Sequence, residues 1–293
     1  IAYNNLILNI TKSKDHFKLK DLSLIEIKTM IDNFSIKEEK FIDNIYYVNL
    51  DVSFNKKKIF SFLEKKNIFP SQPKKKKVLF IPVVIDEKKK NIILFSENKF
   101  YQNWFVNNDN QNQLIYLLPT DDLDDIQIIK SKYEYLEEYD FKEIVNKYFL
   151  DDYIISLIYK NSSDLRVLSK INLSEKIFVD NKVFKNFTDK DVPNVIEELK
   201  LLYEDYWKRE NQINTSIKLP LTIAIDILNE KKIEDFEKTM KKFNLVSSFH
   251  VFKLDKLNVY YKIIFNGTPQ AFILEMKRSG YNLDIKNKIW ILK

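Results

Sequence analysis

Two glycines, Gly267 and Gly280, serve a chain of 293 residues. Glycine-rich loops are what let a backbone close around phosphate, and neither glycine sits in such a loop. Histidine carries most neutral-pH proton transfer, and histidine with cysteine holds most transition metals. The chain has two histidines and no cysteine. That inventory argues against a nucleotide-dependent enzyme, a zinc protein or a thiol enzyme. Both glycines are instead assigned to fold. Gly267 follows Asn266 at a turn leaving a strand, before a Thr268 cap and Pro269 at the first helical position. Gly280 falls where that helix ends, as a left-handed residue after Lys277 and Arg278.

The formal charge of +6 invites a nucleic-acid reading. Arginine, with its planar bidentate fork, is the favoured residue for that purpose. It occurs only at Arg166, Arg209 and Arg278, so most of the basicity is assigned to the codon bias of an AT-rich genome. Hydrophobic residues at 45% are ample for several cores, which excludes wholesale disorder. No apolar run approaches the ~18 residues of a membrane span. Leu6, Ile7 and Ile10 read as the end of a helix already under way at Ile1, so a further amino-terminal segment is expected before it.

The pattern predicts an α/β and α+β protein of three small domains. Residues 1–72 form a truncated α+β domain. Its short helix Leu24–Ile31, capped by Asp21 or Ser23, turns Leu24, Ile27 and Ile31 to one face. A strand pair, Phe34–Phe41 with Tyr46–Phe54, follows. A helix capped by Asn55 then turns Ile59, Phe60 and Leu63 inward. Residues 73–190 form an α/β domain with a mixed sheet, whose continuous apolar strand Val78–Ile85 is covered on both faces. Residues 191–219 form a connecting helix, centred on Pro193–Trp207. Residues 220–293 follow the order βαββαβ of the ferredoxin-like split motif.

Several stretches of the first two blocks are similar to a domain-of-unknown-function family of alphaproteobacterial secreted proteins. They are Leu19–Ile27, Tyr47–Phe54, Val78–Pro82, Asn98–Trp104 and Leu118–Asp125. Lys99 and Phe100 depart from the family's proline and tryptophan, while Asn98 and Trp104 match it. The resemblance spans roughly residues 1–160 and implies an exported, periplasmic or envelope-associated protein. It transfers no catalytic residue. Val145–Ile158 distantly resembles the helix-to-strand step of TolB amino-terminal-like domains, a fold-level analogy.

Asp121, Asp122, Asp124 and Asp125 are the candidate metal ligands, since hard cations want several oxygens. The competing reading, which is preferred, is a helix start capped by Thr120 or Asp121 and stabilised by the helix dipole. The lysine runs 56–58, 74–77 and 88–90 are read as solvated turns beside hydrophobic strands. In the last block Asn258, Tyr260, Lys262 and Ile264 share the open face of a strand. Thr222, Ala224 and Asp226 of its neighbour accompany them and bring no aromatic platform for RNA. His16 is expected at the surface and His250 partly buried in a strand. Trp104, Trp207 and Trp290 are expected as core anchors. No cofactor is expected. The function expected is a non-enzymatic scaffold or adaptor with a protein partner in the cell envelope, reached through an exposed apolar patch or an open sheet edge. Lysine-dependent nucleic-acid binding and a carboxylate-dependent hydrolase are the alternatives.

Overall fold

The computed structural model describes residues 1–20, 22–106, 112–161 and 163–293. They divide into two compact units, Ile1–Gln72 with Gln212–Lys293, and Pro73–Asn211. The blocks at the two ends of the chain thus share one unit.

The amino-terminal part of that unit holds helices α1 (Ala2–Ile10), α2 (Leu24–Thr29) and α3 (Lys56–Lys65) and the strands β1 (Ile31–Ile42) and β2 (Ile45–Phe54). Ser23 caps α2 in a reciprocal box, its hydroxyl accepting the Glu26 N–H at 3.3 Å while the Glu26 carboxylate accepts the Ser23 N–H at 2.9 Å. Asp21, the other candidate cap, lies outside the described residues. Leu24 is exposed and Ile31 belongs to β1, so α2 does not present the apolar face expected of it. The Asn55 side chain accepts the Lys58 N–H at 2.9 Å and starts α3. Ile59 and Leu63 then pack with Tyr3, Ile7 and Ile10 of α1, and Phe60 is half-buried beside them.

The second unit is built on a six-stranded sheet made of β3 (Lys76–Asp86), β4 (Asn91–Ile93), β5 (Leu114–Leu117), β6 (Tyr153–Lys160), β7 (Leu165–Leu173) and β8 (Lys176–Phe184). Its helices are α4 (Lys99–Asn103), α5 (Leu123–Ser131), α6 (Lys142–Asn146) and α7 (Val192–Glu210). β3 pairs in parallel with β5 and β6, and β4, β7 and β8 add antiparallel edges. Alternation along β3 sorts its side chains between two cores. Val78, Phe80 and Val84 face one, and Leu79, Ile81, Val83 and Ile85 the other. The unbroken apolar run of this strand follows from burial on both faces.

The helix expected as a connector is the lid of the first of these cores. Val195, Ile196, Leu199, Tyr203 and Trp207 recur at helical spacing and are all buried against the sheet. The buried Tyr203 hydroxyl is satisfied by two partners, lying 2.6 Å from Ser156 Oγ and 2.8 Å from Ser169 Oγ. The Glu204 carboxylate accepts the Leu114 N–H at 2.7 Å, tying the helix to β5, and burial holds this carboxyl above its usual range.

The carboxy-terminal part of the first unit comprises β9 (Leu219–Asp226), α8 (Glu230–Lys242), β10 (Val246–Leu254), β11 (Asn258–Phe265), α9 (Pro269–Arg278), β12 (Leu283–Asp284) and β13 (Trp290–Leu292). The sheet order is β10-β11-β9-β13-β12. A closing strand reached from β11 by a right-handed helical crossover would run parallel to β11, hence antiparallel to β9. β13 instead runs parallel to β9, because the chain first lays down β12 and reverses before entering the sheet. The ferredoxin-like order is therefore present with its last strand inverted. Val259, Tyr261, Ile263 and Phe265 face the core beneath α8 and α9, as alternation predicts.

With almost no glycine, tight turns fall to residues that tolerate positive φ. The β1–β2 turn uses Asp43 and Asn44 (φ 50° and 61°), and the β7–β8 turn Ser174 and Glu175 (φ 52° and 65°). Gly280 is left-handed at φ 83° after α9, where the Tyr281 N–H reaches the Met276 carbonyl at 2.9 Å. Gly267 is required for space, since a Cβ there would meet the Phe265 ring at 2.7 Å.

Candidate functional site

Among the described residues, neither strand of the β1–β2 ribbon contains a single buried residue. The ribbon is a two-stranded sheet with no third strand, in register from Ile31↔Phe54 to Ile42↔Ile45. Register shifts lie between Ile31 and Asn33 and between Ile36 and Glu38. Each inserts one extra residue into β1 and so restores its phase with β2. As a result Tyr46, Val48, Leu50, Val52 and Phe54 share one face with Ile31, Phe34, Ile36, Glu39 and Phe41. The opposite face is polar along most of its length, with Asn33, Ser35, Glu38, Lys40, Asn49, Asp51 and Ser53, and turns apolar only towards the tip with Tyr47, Ile42 and Ile45.

The ribbon is thus amphipathic, and its apolar face is open. Phe34 is 67% exposed, Phe41 70% and Leu50 45%. Only the base is covered, where Phe54 packs edge-on to Tyr3 at 6.2 Å. The one charged side chain on the face, Glu39, accepts the Tyr46 hydroxyl at 2.5 Å, which holds that phenol above its usual range. Paired strands of ten residues span ~34 Å at ~3.4 Å per residue. Exposed apolar surface on this scale makes the ribbon the candidate site of the molecule.

The strand pair was visible in the sequence, but its open face was not. Spacings of three and two along β1 (Ile31, Phe34, Ile36, Glu39, Phe41) match neither a helix nor a simple strand. Clean alternation from Tyr46 to Phe54, with no third strand to cover it, is the signal that was available.

The aspartate cluster resolves as a cap. Asp122, one residue beyond the expected position, accepts the N–H groups of Asp124 and Asp125 at 2.8 and 3.3 Å and starts α5. Lys147 fills the space between the acids, with Nζ 2.6 Å from Asp125 and 3.1 Å from Asp122. Asp121 turns away to Ser96. Among the described residues no group of three or more His, Cys, Asp or Glu side chains is arranged to hold a metal ion.

The lysine runs lie on separate elements with local duties. Lys76 pairs with the buried Asp152, and Lys58 donates to the Thr29 carbonyl at 2.8 Å. The Lys88 and Lys89 backbones bond Asp86 in a turn. Lys56 donates to the Phe243 carbonyl at the end of α8, and burial pulls its ammonium down to about 8. A lysine whose folded value is depressed opposes folding wherever it is charged in both states. Stability is therefore expected to rise with pH between about 8 and the ordinary value of 10.5. Lys56→Met should flatten that rise and stabilise the protein near neutral pH by ~2 kcal/mol. Urea unfolding at pH 7 and pH 9 measures both effects, and equal slopes in the two proteins would refute them.

His250 is exposed on the edge strand β10, not partly buried, and His16 is half-buried near the Thr11 carbonyl. Trp104 and Trp207 are fully buried, and Trp290 packs on Phe272. On the open face of the last sheet Tyr260 is bound to Asp255 at 2.8 Å and Ala224 is buried.

A crevice of about 190 Å³ lies at the carboxyl ends of the parallel strands β3 and β6, the usual ligand position in an α/β sheet. Its wall includes Asp86, Glu97 and Asp189. Asp189 receives Lys160 and Lys99, each at 2.7 Å, and these bonds hold it below the usual carboxylate range. Two-carboxylate hydrolysis wants one acid kept protonated near neutral pH, the opposite tuning. Among the described residues no helix is long and apolar enough to cross a membrane. No protein-family model, curated protein or solved structure matches the chain.

Proposed function

We propose that this protein is a non-enzymatic adaptor of the cell envelope and that the β1–β2 ribbon is its docking element. The observation that carries this reading is the uncovered apolar face running from Phe34 to the Phe41–Tyr46 pair at the tip. The occupant is a partner protein presenting an apolar sheet face. A flat strip suits sheet-on-sheet packing, in which side chains of two faces interdigitate across ~10 Å. Phosphate backbones find no cation on this face, and its one charge is the acidic Glu39. The envelope location rests on the sequence resemblance.

The test is position-specific photo-cross-linking in the cells that make the protein. Benzoylphenylalanine at position 36 samples the apolar face and at position 49 the polar one. A discrete protein adduct is expected from position 36 alone, lost in a Val48→Asp, Leu50→Asp background. Both residues are more than 40% exposed, so the fold should tolerate these changes, which circular dichroism verifies. Equal adducts from both faces, or an adduct indifferent to the two aspartates, would sink the proposal. An adduct only with a second copy of the chain would replace the adaptor reading by self-association.

A further inference from the structure

β8 is the outer strand of the six-stranded sheet. Among the described residues no backbone hydrogen bond joins it to any segment but β7, so its other side is an open edge. Sheet edges are usually blunted by shortness, bulges or charge. The remaining edges follow that rule. β4, β5 and β12 have three, four and two residues, and β10 and the ribbon carry register shifts. β8 runs nine residues against β7, from Leu165↔Phe184 to Leu173↔Lys176, with no shift. A long, regular edge of this kind is a template for another strand.

Alternation divides its side chains between two faces. On one, Ile177 is 71% exposed, Val179 62% and Val183 52%, with Asn181 between the valines. The other carries Phe178, Asp180, Lys182 and Phe184, both phenylalanines packing on the core beneath α7. An antiparallel copy of β8, related by a two-fold axis through Asn181, sets Val179 opposite Val183, Phe178 opposite Phe184 and Asp180 opposite Lys182, each pair formed twice. Moving the axis by one residue sets Asp180 against Asp180 or Lys182 against Lys182, and like charges directly opposite destabilise a strand pair. Charges that repel an arbitrary strand therefore select one register for a second copy of this one. Lys182 reaches Glu198 at 2.6 Å and Asp180 accepts the Tyr206 hydroxyl at 3.0 Å, which holds both side chains at the edge. An ammonium with three donors and a carboxylate with several lone pairs each keep capacity for a further partner.

We infer that the second unit dimerises through β8, two copies pairing antiparallel about Asn181 so that two six-stranded sheets become one. The occupant of the edge is a second copy because the contact is self-complementary. It sets apolar against apolar on both faces and acid against base twice, and on the axis Asn181 meets its own amide. A two-fold contact of this kind is closed and leaves no β8 edge for further growth. It lies wholly within the second unit and stands or falls independently of the ribbon's docking role.

Sedimentation equilibrium of the full chain should show a reversible dimer by about 100 µM, because a single edge contact is smaller than a standard interface and correspondingly weak. The chain has no cysteine, so Asn181→Cys introduces a lone thiol, which should oxidise readily to a disulfide-linked dimer. Ile177→Cys is the control, also exposed but ~27 Å from its own copy in this register. Asp180→Lys and Lys182→Asp should each raise the dimer dissociation constant at least tenfold with circular dichroism unchanged. An equimolar mixture of these two variants should dimerise again, since the basic pair of one then faces the acidic pair of the other. The inference is overturned by a monomer at 100 µM, by equal oxidation of the two cysteine variants, or by a dimer indifferent to both charge reversals.

Discussion

Trp104→Ala is expected to destabilise the second unit by about 3–5 kcal/mol, the usual cost of emptying a large aromatic site in a core. The indole is fully buried and stacks on Phe80 with centroids 3.7 Å apart. Tyr116 meets it edge-on at 5.2 Å, and the Lys200 ammonium lies 5.4 Å from its ring. Its Nε1 has no hydrogen-bond partner among the described residues, so the loss is one of packing rather than of a polar bond. Trp104→Phe keeps the stack, removes the orphaned N–H and should cost ~1–2 kcal/mol. Trp207 remains as a fluorescent reporter within the same unit and Trp290 as one in the other. Urea unfolding followed at both would show an early transition in the second unit alone. A loss below 1 kcal/mol for the alanine variant would mean that the site collapses freely and the aromatic stack contributes little.

Lys147→Met is expected to cost about 2–3 kcal/mol at pH 7, because it strands the Asp125 carboxylate, which is 0% exposed. The figure lies below the usual range for a broken buried pair because Lys147 itself is 40% exposed. A second substitution, Asp125→Asn, should restore more than half of the loss, and the double-mutant cycle isolates the pair. The pH dependence has a definite sign. Lys147 and the backbone N–H groups of Asp124 and Asp125 hold the Asp122 carboxyl below its usual value of 3.8. Its contribution is present above about pH 4 and is lost as the solution is acidified. The two carboxylates hold the Lys147 ammonium above its ordinary 10.5, so its contribution is complete below that pH and lost as pH climbs past it. The methionine variant should therefore lose stability on acidification less steeply than the parent. Parallel acid limbs would contradict the pairing.

Much of the fold was legible because burial imprints itself on local pattern. The unbroken run Val78–Ile85 announced a strand covered twice, and the alternation of Val259, Tyr261, Ile263 and Phe265 announced one covered once. Ser23, Asn55 and Thr268 announced helix starts by a chemistry that acts within three residues. Sites were harder to see. The aspartate run reads as a helix cap from sequence, but the ion pairs of its members with Lys147, distant along the chain, appear only in the structure. The helix from Val192 is amphipathic whether it links domains or roofs a sheet, so its pattern alone could not choose between them.

The sequence by itself determined where most strands and helices form and what its two glycines do. Gly280 ends a helix and Gly267 admits the Phe265 ring, so both are committed to fold. Only the tertiary structure decided that residues 1–72 and 212–293 share a unit and that β13 enters its sheet inverted. It also decided that two extra residues in β1 gather a broken apolar pattern onto one open face. The reason is physical. Propensity, capping and periodicity act over a turn or two of chain, whereas register, strand direction and exposure depend on what arrives from far along it.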